Sequence, residues 1–87
     1  MKLVAEIGIN HHGDEKYLLD YIDQLTETKI DGITIQYRDQ QFYEKFTKFT
    51  LDNRVYEIIS SKIKSKNKLF GVAIKDPKKV DFFEKIK

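Results

Sequence analysis

The chain has 87 residues, which is enough for one small domain and too few for two. It has no cysteine, which excludes disulfide frameworks, zinc–thiolate sites and thiol nucleophiles, and no apolar run near the ~20 residues that span a membrane. Hydrophobic residues make up 40% of the chain and aromatic residues 13%, so we expect it to fold. Its first residues do not resemble a signal peptide, and we expect a cytoplasmic protein with no membrane partner.

The net charge of +2 is unevenly distributed. Residues 62–87 carry nine lysines and three acidic residues, whereas residues 1–61 are net acidic. A basic tail can bind nucleic acid or acidic partners, but this one has no arginine, no interleaved aromatic platform and no known nucleic-acid motif. The pattern favours lysines on the solvent-facing sides of helices, and we predict no nucleic-acid partner.

The first half of the chain alternates between strand and helix patterns. Residues 2–8 are mostly apolar and predict a strand covered on both faces, as in parallel sheets. A turn follows at 10–13, and Asp14 is placed to cap a helix over 15–28, whose apolar residues recur on one face. The β-branched run at 33–37 predicts a second strand.

The second half continues the alternation after one ambiguous segment. Residues 38–49 can form a short amphipathic helix or an ordered loop, and their aromatic side chains are more typical of packing than of a binding platform. Thr50 is the predicted cap of the next helix. Residues 69–74 predict a third strand, and Asp76-Pro77 is a typical start for a last helix.

The order β-α-β-(loop or helix)-α-β-α predicts parallel strands joined by right-handed crossovers. Three such strands leave at least one long unpaired edge, and the helical pattern continues to the end of the sequence. We therefore expect an α/β fold of three parallel βα units, a partial TIM-type barrel that is completed by self-association or by a partner.

The most unusual stretch surrounds Glu6, a carboxylate within an apolar run. A buried carboxylate costs free energy unless it is paired or used. Asn10, His11 and His12 follow where the strand gives way to a helix, which is where barrel enzymes carry their active sites. Alternatively, Glu6 pairs with a lysine or a backbone amide, and the histidines form a surface turn. Adjacent residues of an extended segment point opposite ways, so the two histidines are not expected to bind one metal ion.

Three other positions have two interpretations. Gly8 and Gly13 are predicted to serve a tight turn, because the Lys-Ser/Thr pair that would make their spacing a phosphate loop is missing. Gln36, at the end of the second predicted strand, is equally consistent with a hydrogen bond in a turn and with a ligand contact.

Three blocks of the sequence resemble a known family. Residues 5–14 read A-E-I-G-I-N-H-H-G-D, residues 30–36 read I-D-G-I-T-I-Q, and residues 70–83 contain F-G-V-A-I-K-D followed by V-D-F-F. In order and spacing they are similar to A-E-I-G-x-N-H-x-G-D, A-D-A-V-K-F-Q and F-x-S-T-P-F-D with V-D-F-L. Those are signatures of the sialic acid synthase family, the N-acetylneuraminate synthases and their relatives.

That resemblance implies a function and a set of site residues. The family folds as a (β/α)8 barrel, which needs ~250 residues, and condenses phosphoenolpyruvate with an N-acetylmannosamine-type sugar using a divalent metal such as manganese. Residues 1–87 would be a single α/β domain matching its first three βα units. By position, Glu6 and His11 would be catalytic, and Asn10 and Gln36 would bind substrate. The family's metal-binding histidines lie in the barrel's second half, so no metal ligand or cofactor is implied here.

The sequence departs from the family where phosphoenolpyruvate is held. Thr34 stands in place of the family lysine, and Val72-Ala73 replaces its Ser-Thr pair. A hydroxyl is a poor substitute for a cation beside an anionic substrate. Two hypotheses follow. One is the amino-terminal segment of a synthase-type enzyme, inactive as 87 residues alone; the other is a non-catalytic module that self-assembles or binds a partner or sugar.

Overall fold

The computed structural model describes residues 2–8 and 11–86. Three strands alternate with four helices. In chain order the elements are β1 (Val4–Gly8), α1 (Glu15–Thr26), β2 (Gly32–Tyr37), α2 (Gln40–Lys45), α3 (Asn53–Ser65), β3 (Leu69–Ile74) and α4 (Val80–Ile86), with short 3₁₀ turns at Thr47–Phe49 and Pro77–Lys79.

The three strands form one parallel sheet in the order β1-β2-β3. Glu6 lies opposite Thr34, and Thr34 lies opposite Gly71, so the three strands share one register across the middle of the sheet. The register shifts once in β1, between Glu6 and Gly8. The parallel arrangement confirms the fold expected from the sequence: three βα units of an open, partial α/β barrel.

The core lies on one side of this sheet. Alternate strand residues face the helices there, and four of them are at most 6% exposed. Burying such apolar side chains is the main favourable term in folding. From the sheet the core takes Ile7, Ile33, Ile35 and Phe70, and from the helices Leu18, Ile22, Val55, Tyr56, Ile59, Ile63 and Phe83.

Helices α1 and α3 pack side by side with a constant offset in sequence. Three ion pairs join them: Glu15 with Arg54, Asp23 with Lys62, and Glu27 with Lys66. In every pair the acidic partner precedes its basic partner by the same number of positions. The two helices therefore run parallel and in step, as the alternating βα order requires.

Aspartates cap the helices as the sequence indicated, with one exception. Asp14 accepts a hydrogen bond from the Tyr17 amide at 3.0 Å, and Asp76 accepts one from the Lys78 amide at 3.0 Å. The prediction that Thr50 caps α3 is wrong. The Thr50 amide ends the preceding 3₁₀ turn by donating to the Thr47 carbonyl, and α3 begins after Asp52.

The ambiguous segment 38–49 contains both a helix and a turn. Asp39 caps α2 through the Phe42 amide, and the 3₁₀ turn follows directly. Phe42 lies 5.1 Å from Phe46 and 5.6 Å from Phe49, measured between ring centroids. The predicted packing function of these aromatic residues is thus confirmed, and it gives the segment a small apolar centre of its own.

Gly13 is required where this segment meets the β1–α1 turn. Its φ is +77°, and a Cβ built on it would lie 1.6 Å from the Lys48 carbonyl oxygen. Gly8 also has a positive φ, +64°, but a Cβ there would meet open space. Both glycines serve the backbone as expected, and only Gly13 is also needed for close packing.

The expectation that the strands are covered on both faces is wrong for the described part of the chain. The four helices named above pack on one side, and the other side carries exposed residues such as Val4, Glu6 and Leu69. We call this second side the open face. β1 and β3 each have one unpaired edge among residues 2–8 and 11–86. In a closed barrel the open face would be the interior.

Candidate functional site

Three polar side chains meet on the open face near the carboxyl ends of the strands. Glu6 from β1 and Thr34 and Gln36 from β2 line a concavity of about 180 Å³. Gly8, Ile35 and Ala73 complete its lining. Barrel enzymes place their reacting groups at this end of the strands.

The alternation of side chains along the strands places the polar residues on the open face. In β2 the apolar residues Ile33 and Ile35 turn to the core, so Thr34 and Gln36 must turn to the open face. In β3 the position beside Thr34 is Gly71, and a Cβ there would come within 3.2 Å of the Thr34 hydroxyl oxygen. The lack of a side chain at Gly71 leaves room for that hydroxyl.

The expectation that Glu6 is buried is wrong. Glu6 is exposed on the open face, because the alternation in β1 turns Ile7 into the core and Glu6 away from it. No hydrogen bond or ion pair reaches its side chain from the residues that the structure describes, so neither alternative partner, a lysine or a backbone amide, is present there. Glu6 is therefore free to contact a ligand in the concavity.

The lining has a definite electrostatic character. It offers a carboxylate, a hydroxyl and a carboxamide, which together donate and accept hydrogen bonds. None of its six residues is a lysine or an arginine. A hydroxyl-rich neutral ligand fits this set, whereas an anion would be repelled by Glu6 without a compensating cation.

His11 lies apart from this concavity. It is 5% exposed, and its Nδ1 accepts a hydrogen bond from the Gly13 amide at 2.8 Å. Burial, and to a smaller extent the nearby His12, lower the pKa of His11, so its imidazole is neutral near pH 7 and carries its proton on Nε2. The structure therefore gives His11 a clear function in holding the β1–α1 turn.

The second histidine of that turn does not line the concavity. His12 is exposed and lies 5.2 Å from the Phe49 ring, and its φ of +54° belongs to the left-handed region. The two histidines lie in a turn and not in the extended segment that the sequence suggested. Asn10, a predicted substrate-binding residue, lies outside the described residues.

A metal ion does not fit the part of the chain described here. Within residues 2–8 and 11–86 no three side chains from His, Asp and Glu lie close enough to hold one. The Nδ1 of His11 already accepts the hydrogen bond from the Gly13 amide.

A wider depression of about 480 Å³ lies on the outer surface between α1 and α3. Its charged residues satisfy one another: Lys16 pairs with Asp20 at 2.8 Å, and Lys62 pairs with Asp23 at 3.0 Å. This surface has the composition of a solvated helix pair. No helix in the described ranges is long and apolar enough to cross a bilayer.

The fold and the concavity define a class: an open segment of an α/β barrel with polar residues at the carboxyl ends of its strands. Among solved structures, the chain is similar to the N-acetylneuraminic acid (sialic acid) synthetase of Leptospira borgpetersenii serovar Hardjo-bovis, crystallised in complex with citrate, with a TM-score of 0.82. The similarity covers 97% of this chain and 32% of that chain, at 21% sequence identity.

This likeness confirms the fold that the motif resemblance implied. The chain spans about a third, 32%, of the length of the synthetase that it matches. No family model matches the sequence, and no curated protein does.

Thr34 is the site residue whose contribution sequence reasoning missed. The sequence analysis noted Thr34 only as a replacement for the family lysine. In the structure, Thr34 lines the concavity together with Glu6 and Gln36. The period-two pattern of β2 was the available signal, since it puts positions 34 and 36 on the same side.

Proposed function

We propose that this chain is a cytoplasmic, sialic-acid-synthase-type segment whose open face binds the sugar substrate. Glu6 accepts hydrogen bonds from sugar hydroxyls, Gln36 bonds a hydroxyl or the N-acetyl group, and Thr34 supplies a further hydroxyl. The observation that carries the proposal is the shared, cation-free concavity of Glu6, Thr34 and Gln36 at the strand ends. The TM-score of 0.82 to a sialic acid synthetase supports the sugar as ligand class.

The chemistry of the lining supports a sugar rather than an anion. A neutral amino-sugar presents several hydroxyl donors and acceptors, and a carboxylate with an amide satisfies them in both directions. Phosphoenolpyruvate carries negative charge that Glu6 would oppose. In this proposal Glu6 and Gln36 orient the sugar, and His11 is a catalytic candidate only through its Nε2–H, because Nδ1 is engaged by Gly13.

Titration of the ¹⁵N-labelled chain with N-acetylmannosamine tests this function. Saturable shifts are expected at the amides of residues 34, 36 and 73 and at the Gln36 side-chain amide. Glycerol at equal concentration serves as the control for a non-specific polyol effect. If N-acetylmannosamine moves no signal on the open face, or moves only those that glycerol moves, the sugar-binding proposal is wrong.

Replacement of Gln36 adds a matched comparison. Gln36→Ala should weaken the sugar about tenfold, since one hydrogen bond is worth about 1 kcal/mol and about 1.4 kcal/mol is tenfold. Gln24→Ala, at an exposed position of α1, should leave the affinity unchanged. Equal effects of the two changes would contradict a specific contact at Gln36.

We expect no turnover by the 87 residues alone. The open face supplies the sugar side, whereas the groups for phosphoenolpyruvate are missing at Thr34, Val72 and Ala73. Incubation with phosphoenolpyruvate, N-acetylmannosamine and manganese should release no phosphate above the rate without protein. Clear phosphate release would show that the chain is a complete enzyme.

A non-catalytic, self-assembling module is the second candidate, favoured by exposed apolar groups on the open face. Val4 is 48% exposed and Leu69 is 56% exposed, and both border unpaired strand edges. Sedimentation equilibrium should then give a mass above 10.3 kDa. Leu69→Glu should lower that mass, whereas Val80→Glu, at a 42% exposed position of α4, should not. A monomer at every concentration would remove this candidate.

A further inference from the structure

Arg38 lies immediately beyond the carboxyl end of β2, two residues after Gln36. We infer that its guanidinium is an anion-binding group beside the carboxyl end of β2, which takes the carboxylate or phosphate of a second, anionic ligand. This inference rests on the proposed function and deepens it, because the concavity itself contains no cation.

The backbone at Arg38 is fixed on both sides. Its amide donates to the Tyr43 hydroxyl oxygen at 3.0 Å, and the preceding Tyr37 carbonyl accepts from the Lys75 amide at 2.9 Å. Arg38 is therefore held at the end of the ladder between β2 and β3 and not in a mobile loop.

The guanidinium is held as well. Its Cζ lies 4.2 Å from the centroid of the Phe42 ring, and Phe42 packs in turn on Phe46 and Phe49. Stacking on an aromatic face orients the planar group and reduces the conformational entropy that a ligand would otherwise cost. A guanidinium prepared in this way is well suited to bind a planar or tetrahedral anion.

The guanidinium of Arg38 forms no hydrogen bond within the part of the chain described here. Its Nε is buried and has no hydrogen-bond partner, and no carboxylate there forms an ion pair with its guanidinium. Asp39, the adjacent acid, is committed to capping α2 through the Phe42 amide at 2.9 Å. A buried N–H without a partner is uncommon. The other N–H donors of this half-buried guanidinium also have no partner in the described chain, and they can donate to an anion.

The other arginine shows the contrast. The chain has two arginines, and Arg54 contacts Glu15 on the exposed surface of α1 and α3, with Nη2 3.4 Å from Oε1. Its charge is already compensated by a neighbour, and it has no aromatic platform among the described rings. Arg54 is therefore a matched control for Arg38. The guanidinium of Arg54 is paired with a carboxylate, whereas that of Arg38 is not paired in the described chain.

The two arginine Nε–Hε signals of the ¹⁵N-labelled chain report on this directly. Inorganic phosphate, pyruvate and phosphoenolpyruvate serve as probes, carrying a phosphate, a carboxylate and both, with sodium chloride at matched ionic strength as the control. The Arg38 signal should shift saturably below about 10 mM, and phosphoenolpyruvate should bind more tightly than either single-group probe. The Arg54 signal should stay in place.

Two results would overturn the inference. One is equal movement of both arginine signals, which marks a general ionic effect, and the other is no movement at Arg38 up to that concentration. Binding of phosphate without pyruvate assigns the site to phosphate groups, and the reverse assigns it to carboxylates; either supports the anion site.

Variants of Arg38 distinguish the planar hydrogen-bonding geometry of the guanidinium from its positive charge. Arg38→Lys keeps the charge but loses Nε and the planar fork, and should weaken phosphoenolpyruvate about tenfold, read from the amides of Gln36 and Phe42. Arg54→Lys should leave that affinity unchanged. Phe42→Leu removes the platform and keeps the Arg38 signal observable, and it should also weaken binding. Circular dichroism establishes that each variant is folded, and wild-type affinity in Arg38→Lys would contradict the inference.

The sugar titration makes the two proposals distinguishable. If N-acetylmannosamine shifts the Gln36 signals but no anion shifts the Arg38 signal, only the anion-site inference is wrong. An anion response at Arg38 without sugar shifts removes the sugar function and supports the anion site.

Discussion

The two faces of the sheet contrast sharply although the same three strands build both. On the helix side, Ile33 and Ile35 are at most 3% exposed and pack into one continuous apolar core. On the open face, Val4 and Leu69 are about half exposed, at 48% and 56%, and the polar groups are free of partners within the described chain. The period-two alternation of the strands thus puts the apolar core on one face and the polar groups without partners on the other.

The largest expected effect tests whether stability depends mainly on the helix side. Ile59 is 0% exposed, and Ile59→Ala should lower the free energy of unfolding by about 4 kcal/mol through lost burial and a cavity. Leu69→Ala, on the open face, should cost less than about 0.5 kcal/mol. Urea unfolding at low protein concentration measures both. A cost at Leu69 close to that at Ile59 would mean that the open face is covered in solution.

Gly8 and Gly13 both have a positive φ, and substituting each of them should show how much close packing adds to the cost. Gly13→Ala should destabilise the fold by about 3 kcal/mol, because it combines a left-handed φ with a collision against the Lys48 carbonyl. Gly8→Ala has the same backbone penalty but open space around the new Cβ, and should cost about 1 kcal/mol. The urea midpoints rank the two variants, and the opposite ranking would contradict the close packing of residues 47–49 on the β1–α1 turn.

The buried His11 should make the free energy of unfolding depend on pH. Burial lowers the pKa of His11 below its ordinary value of 6.5, so the unfolded chain binds a proton more readily than the folded one. The contribution of His11 to the free energy of unfolding should be constant above pH 6.5. It should decrease as the pH falls from 6.5 through the pKa of His11 in the folded state.

Variants of the two histidines check this assignment by urea unfolding at several pH values. His11→Gln should flatten the acid-side loss. His12→Gln should reduce the loss without abolishing it, because the charge of His12 is the smaller cause of the lowered pKa at His11. An unchanged acid profile in His11→Gln would assign the slope to another group.

The smallest effect concerns the outer ion pairs. Asp23 and Lys62 are 54% and 35% exposed, and exposed pairs contribute about 0.2–1 kcal/mol. A double-mutant cycle with Asp23→Asn and Lys62→Gln should give a coupling energy in that range, and the coupling should shrink in high salt. A salt-independent coupling would contradict an exposed pair.

Most of the fold was predictable because it follows from local periodicity. The predicted strand at 69–74 matches Leu69–Ile74, and the predicted helix at 15–28 differs from Glu15–Thr26 only at its end. The cap at Thr50 failed because a 3₁₀ turn intervenes, and that turn is held by contacts with Gly13, distant in sequence. Local patterns contain no information about such contacts.

The site was predictable only in part. A carboxylate within an apolar run indicated Glu6, a strand-end position indicated Gln36, and the family resemblance pointed to both. Both residues line the concavity. The sequence did not reveal which face the helices would leave open, and so the exposure of Glu6 was missed. Arg38 was missed because its contact with Phe42 depends on where α2 begins, within the segment that the pattern left ambiguous.

The constant spacing of α1 and α3 has a consequence for how such a molecule can change. Glu6 lies opposite Thr34 in the sheet, and Glu15 meets Arg54 across the helices. The path from Thr34 to Arg54 is much longer than the equivalent path from Glu6 to Glu15, because α2 and its 3₁₀ turn are inserted between β2 and α3. The helix pairing keeps one constant offset in sequence despite this insertion. The extra residues therefore lie outside the helix pairing, and changes in their length should be tolerated as long as the close approach of Lys48 to Gly13 is kept.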